Sequence, residues 1–333
     1  MNYSLLLSKR FTVVIQNKFM KDIIEVNVKS EIGKLNGVII HTPGEEVENM
    51  TPENAERALY SDIINLSIAR DEYKQIKVLS KLTRTFEVKD LLCNILKDEK
   101  IKAEVLDRIE KIEPFIGEQA PKGSLKEQLM EENAESLSRL LIEGVEMVKD
   151  NLTKYLSKDW FALRPMHNLL FTRDASMSVN NEVLIGRMAN AIRDRESVIM
   201  RSIFDFTPEF KTSTLTIPPI PGSTNRIRTV EGGDVLVARE DILVIGNGAR
   251  TSTQAIDLLM YEFIKRKTEK IQHIIVQQLP HTPESFIHLD MVFTLLDRDK
   301  CMVFEPLIMN PGSYQTVHIK IQNGKLLGIR TEK

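Results

Sequence analysis

Two rhythms of apolar spacing divide this 333-residue chain. From about Lys89 to Leu156, Leu and Ile recur every three or four residues among Glu and Lys, which is the pattern of amphipathic helices. Pro114 and the Pro121-Lys122-Gly123 turn interrupt it. The stretch predicts an all-helical insertion, a surface lobe with no strand inside it and no chemistry of its own. After Trp160 the rhythm changes to short β-branched runs separated by polar turns, which predicts strands.

The start of the chain predicts a strand followed by a helix. Val38 to His41 is a β-branched run closed by Thr42-Pro43-Gly44, where Pro fixes φ and Gly accepts the turn. Thr51 to Leu82 then reads as helix, with Thr51 as its cap and Pro52 at the first helical position.

The strand-rich half repeats itself. Asp174 is followed by a turn at Asn180-Asn181 and the run Val183-Leu184-Ile185. Asp234 is followed by Val235 to Val237, a turn at Arg239 to Asp241, and Leu243 to Ile245. Asp290 is followed by Met291 to Phe293, a turn at Asp297 to Asp299, and Met302 to Phe304. Each unit is an acid and then a hairpin, and after the second come a helix over Thr251–Lys265 and a strand over His273–Gln277. The unit is therefore strand, strand, helix, strand. Units too small to bury their own apolar faces pack around a common centre, which brings acids at equivalent positions together.

That convergence gives three short motifs a joint meaning: Phe171-Thr172-Arg173-Asp174, Glu231-Gly232-Gly233-Asp234 and His288-Leu289-Asp290. A lone Asp at a strand end more often caps a turn. Several carboxylates facing one pocket suit a guanidinium, a planar cation with five donors. His288 precedes Asp290 by two residues and is read as sharing a strand face with it, a placement for a general acid and base. Gly232 and Gly233 permit a positive φ or close backbone approach beside Glu231. Arg193 and Arg250 are candidates for holding a carboxylate, Arg250 standing just before a helix N-terminus. His41, His273, His281 and His318 are read as structural.

Composition narrows the class. Forty-five basic and 47 acidic residues give a formal net charge of -2, which argues against nucleic-acid or membrane partners and favours a small polar molecule. Two cysteines, Cys93 and Cys301, make no disulfide framework and no metal spacing, so a reducing, cytoplasmic setting is expected. No apolar run reaches the length of a membrane span. The first 20 residues, basic and free of acids, read as an extension beyond the native start, with translation beginning at Met20.

The motifs, in this order, resemble the arginine deiminases of the guanidino-modifying (pentein) superfamily. The resemblance runs from about Ser30 to the end, through Ser30 to Leu35, His41 to Gly44, Pro165 to Asp174, Glu231 to Asp234, Gly248 to Ser252 and His288 to Asp290. It implies an α/β fold, a pentein-type propeller of strand-strand-helix-strand modules around a pseudo-fivefold axis, with the helical insertion that sets arginine deiminases apart from their relatives. The implied division is an extension at 1–20, a first module at 21–88, the insertion at 89–156, and further modules at 157–333. The implied reaction is hydrolysis of L-arginine to citrulline and ammonia in the cytoplasm, with no metal or organic cofactor. On matched positions Asp174 and Asp290 would bind the guanidinium, His288 would be general acid and base, and Glu231 would orient it. Asn168, Arg193 and Arg250 would hold the α-carboxylate end, and Phe171 would pack on the substrate. His167 stands where the family pattern has proline, and Leu170 where it has an aromatic.

The implied mechanism needs a cysteine thiolate in a final module, and neither cysteine here matches it: Cys93 falls in the insertion, and Cys301 reads as a packed core thiol. The last module is therefore expected to be missing, with weak stability as a monomer or compensation as a homo-oligomer. Two alternatives stand beside catalysis. One is a non-catalytic arginine-binding protein; the other is a metal-dependent hydrolase using His281, His288, Asp290 and Glu231, against which the ligand spacing argues.

Overall fold

The computed structural model describes residues 23–49, 64–113, 124–148, 155–156, 160–220, 226–310 and 314–332. The expectations placed on the first 20 residues, on Thr51 and Pro52, on Pro114, and on Pro121 to Gly123 lie outside them.

The first strands are β1 (Ile24–Glu25) and β2 (Gly37–Ile40), and β2 runs parallel to β3 (Arg84–Glu87). Between β2 and β3 stand helix α1 (Leu66–Tyr73), capped by the Asn65 side chain, and a 3-10 helix over Ile76–Lys81. The insertion follows as α2 (Val88–Ile95), α3 (Glu99–Ile112), α4 (Leu125–Glu131) and α5 (Ala134–Glu143). Its caps are local: Asp98 accepts from the amides of Lys100 and Ile101, Ser124 and Glu127 form a capping box, and Asn133 caps α5. Its apolar stripe is the expected one, with Val105, Leu106 and Ile109 of α3 fully buried against Leu92, Leu137 and Leu141. Each such side chain contributes roughly 1.5–3 kcal/mol by leaving water.

The lobe is not free of strands, contrary to expectation. Gly144 ends α5 with φ 92, and β4 (Val145–Glu146) pairs at once with β5 (Phe161–Leu163). A side chain at Gly144 would meet the Leu163 carbonyl at 2.9 Å, so this return to the body of the protein is built on a glycine.

Two complete modules follow the predicted pattern. In the first, β6 (Ser176–Val179) and β7 (Glu182–Ile185) form a hairpin. Helix α6 (Asp194–Phe206) then crosses, β8 (Phe210–Lys211) pairs with β1, and β9 (Ser213–Thr216) joins β7 in parallel. In the second, β10 (Val235–Arg239) and β11 (Ile242–Asn247) form the hairpin, α7 (Thr253–Lys265) crosses, and β12 (Gln272–Gln278) lies parallel to β11.

The third unit begins as expected and then departs. The hairpin β13 (Phe293–Asp297) and β14 (Lys300–Val303) forms, and a helical turn over Glu305–Ile308 follows. The next strand, β15 (Thr316–Gln322), pairs antiparallel with β12 of the preceding module, not parallel with β14. It turns at Asn323-Gly324, both at positive φ, into β16 (Lys325–Glu332), the outer strand of a five-stranded sheet. Cys301 lies on β14 and is exposed, which corrects the reading of a packed core thiol.

In each of these three units the acidic motif occupies the same place, a short helical turn just before the first strand: Thr172–Ala175 before β6, Gly232–Asp234 before β10, Leu289–Met291 before β13. That common placement brings the three motifs together.

Candidate active site

Asp174, Glu231 and His288 come from three different modules, and one polar atom from each lies within 4.8 Å of the others. All three are buried, Glu231 completely. His288 Nε2 is 3.0 Å from Glu231 Oε2, and His288 Nδ1 is 3.9 Å from Asp174 Oδ1, so the imidazole stands between two carboxylates. Glu231 Oε1 accepts the Ala189 N–H at 2.8 Å.

The glycines beside Glu231 serve close approach, since neither has a positive φ. A Cβ at Gly232 would stand 1.9 Å from the Arg173 carbonyl, and one at Gly233 would stand 2.6 Å from the His288 ring. The His288-Leu289-Asp290 segment is a 3-10 turn rather than a strand, with His288 at its N-cap. The shared strand face expected for His288 and Asp290 is therefore replaced by a turn that buries His288 and leaves Asp290 exposed at the rim.

The electrostatics follow from these contacts. Burial alone would lower the His288 pKa, but the Glu231 bond and the nearby charges of Asp174 and Asp234 raise it above the ordinary value. Burial alone would raise Glu231, but His288, Arg193 and the Ala189 amide hold it below the usual carboxylate range. Partial desolvation raises Asp290 even though it is exposed, against the opposing pull of His288 and Arg173.

Arg193 is placed differently from a residue waiting for a substrate carboxylate. It is buried, donates from Nη1 to Asp174 Oδ2 at 2.9 Å and from Nη2 to Glu196 Oε2 at 2.9 Å, and lies 3.8 Å from Glu231. An internal guanidinium thus already sits on Asp174, and the surrounding carboxylates, set against burial, raise its pKa. Arg250 stands 3.8 Å from the other Glu231 oxygen, just before Ser252, which caps α7. Asn168 is buried in the loop before the Thr172 turn, and Phe171 is 48% exposed beside it. His167, in the family's proline position, brings Nδ1 to 2.5 Å from the Glu46 carbonyl and ties this loop to the turn after β2.

Sequence reasoning gave no role to Arg173 or Glu196, and it counted Asp234 among the converging acids, whereas the group is completed by Glu231 of the same motif. Arg173 donates to the Gly232 carbonyl at 3.0 Å and pairs with Glu31 at 2.9 Å, clamping two of the motif turns together. Glu196 was legible in principle, three residues after Arg193 on a helix.

The donors Asp174, Glu231 and His288 are of types that also ligate metal ions. Arg193 already supplies the opposing charge on Asp174, so the set fits a cation held by hydrogen bonds better than a naked ion. His281, part of the alternative metal set, is exposed and outside the group. Among the described residues the group gathers no cysteine.

The arginine deiminase family model matches residues 56–332. An arginine deiminase of Bacillus cereus (strain ATCC 10987 / NRS 248) is 32% identical over 303 residues, covering 88% of this chain and 72% of the relative. Arginine deiminase 1 of Staphylococcus epidermidis (strain ATCC 12228 / FDA PCI 1200) is 30% identical over 315 residues, covering 90% and 74%. Among solved structures, an amidinotransferase of the saxitoxin biosynthetic pathway from Microseira wollei aligns with a TM-score of 0.44 at 12% identity, covering 84% of this chain and 69% of that one. Dimethylarginine dimethylaminohydrolase from Pseudomonas aeruginosa, complexed with citrulline, also gives 0.44 at 13% identity, covering 84% and 73%. With the family model spanning most of its length and relatives at 30% and 32% identity over most of both chains, the chain belongs to the arginine deiminase family.

Proposed function

We propose that this site takes the guanidinium of L-arginine and that its chemistry is hydrolysis to citrulline and ammonia. The observation that carries the reading is the buried group of Asp174, Glu231 and His288, two carboxylates and a raised-pKa imidazole around one point. Asp174 already accepts from a guanidinium, that of Arg193, so the geometry for this cation is present in the protein itself. A substrate guanidinium would join or replace it, with Asp290 closing from the rim. Arg250, Asn168 and Phe171 are proposed to hold the amino-acid end, with Arg193 swinging to the carboxylate when displaced.

His288 is suited to deliver a proton to departing ammonia and then to take one from water, with Glu231 keeping the imidazole oriented. The covalent route implied by the resemblance would need a thiolate at the guanidinium carbon, and among the described residues no cysteine joins the group; given one, ammonia would leave with the proton from His288, and water would then break the carbon–sulfur bond to release citrulline and restore the thiolate.

A second reading, arginine binding without turnover, is supported by the positions of the two cysteines: Cys93 on α2 in the insertion and exposed Cys301 on β14. Incubation with arginine, scored for citrulline and ammonia, separates the two. Citrulline produced at a rate that falls at least about a hundredfold in His288→Ala supports hydrolysis. Bound arginine recovered unchanged selects the binding protein, and no binding rejects both.

A further inference from the structure

Asp234 lies three residues beyond Glu231 and is fully buried, yet it does not join the group around His288. Its Oδ1 accepts the Leu289 backbone N–H at 2.9 Å, the amide between His288 and Asp290. A carboxyl from the turn before β10 thus grips the first residue of the turn before β13.

Two glycines keep the space for this grip. A Cβ at Gly246 on β11 would stand 2.3 Å from Asp234 Oδ1, and a Cβ at Gly233 would stand 2.6 Å from the His288 ring. The backbone is cleared on both sides of the contact, once for the carboxyl and once for the imidazole. Burial pushes the Asp234 carboxyl up to about 7, so it is held at a desolvation cost that a plain core-filling residue would not carry.

We propose that Asp234 is a positioning residue: through the Leu289 amide it fixes the turn over Leu289–Met291, which sets His288 against Glu231 and places Asp290 at the rim. This rests on the reading of His288 as the acid and base of the site. Asp234 itself touches none of the reacting groups so assigned.

The test is the titration of the His288 imidazole, followed by nitrogen NMR in the full chain. Glu231→Gln sets the scale, because it weakens the 3.0 Å partner directly. Asp234→Leu, which removes the acceptor of the Leu289 amide together with the bond to Thr251, is expected to lower the His288 midpoint as far as Glu231→Gln does. Asp234→Asn keeps an acceptor oxygen and loses only the charge, so its fall is expected to be clearly smaller. Gly246→Ala, whose Cβ would crowd Oδ1 at 2.3 Å and also Leu289 Cβ at 3.0 Å, is expected to follow Asp234→Leu. If arginine binds the wild type, Asp234→Leu should weaken it about tenfold or more and Asp234→Asn less than that.

An Asp234→Leu protein that folds and titrates like the wild type overturns the proposal, as does an Asp234→Asn protein indistinguishable from Asp234→Leu. Should both Asp234→Leu and Gly246→Ala fail to fold, exchange of the wild-type Leu289 amide decides: strong protection supports the grip and free exchange refutes it. None of these readouts needs turnover, so absent arginine binding would count against the proposed function while the titration still judges Asp234.

Discussion

At the residue scale, His288 carries the site because two carboxylates from other modules face it. Its raised pKa means that folding favours the protonated ring. That stabilisation is complete below the ordinary histidine value of about 6.5 and fades as pH rises through the folded-state value. Glu231 behaves in the opposite sense: its lowered pKa contributes above the ordinary carboxylate range and is lost as pH falls through the folded value. Glu231→Gln is therefore expected to lower the His288 midpoint and to flatten thermal stability at both ends of this window. Melting curves from pH 4 to pH 9 check this, and an unchanged profile contradicts it. The three motifs were legible in the sequence, because an acid preceding each hairpin is a local pattern, but of those acids only Asp174 stands in the group. The capture of Asp174 by Arg193 was not, since it depends on the side chain folding inward 19 residues downstream. His288 and Asp290 were misplaced on a strand because a two-residue spacing reads alike in a strand and in a short turn.

At the element scale, the insertion and the modules are stabilised differently. The insertion is held by capped helices around one apolar cluster that continues into β7 and α6, so it is packed against the module bearing Asp174. Leu106→Ala, at a fully buried position of α3, is expected to cost about 2–5 kcal/mol, read as a lowered denaturation midpoint. A change of a few tenths would contradict the packing. The same substitution should leave the His288 titration unmoved, because Glu231, the partner that holds the ring, lies outside the apolar cluster of α3. Helices and hairpins were legible because spacing and caps are local. The course of β15 was not: choosing antiparallel β12 over parallel β14 is a matter of which edge lies free, and no residue within the strand encodes it.

At the scale of the whole molecule, modules contribute one motif turn each, and the site exists only when three of them are in register. The strand β16 ends its sheet with every residue exposed, including Leu327 and Ile329. A free apolar edge favours pairing with another, so sedimentation is expected to show association that rises with concentration and is reduced by Ile329→Lys. A monomer at all concentrations contradicts this. The central claim is that the converged group is a guanidinium site, and calorimetric titration of the intact chain with L-arginine tests it most directly. Saturable binding in the wild type that is lost in Asp174→Asn, with citrulline, whose urea end is uncharged, binding more weakly than arginine, is the predicted result. No heat with arginine, or equal binding of arginine by the wild type and Asp174→Asn, would contradict it.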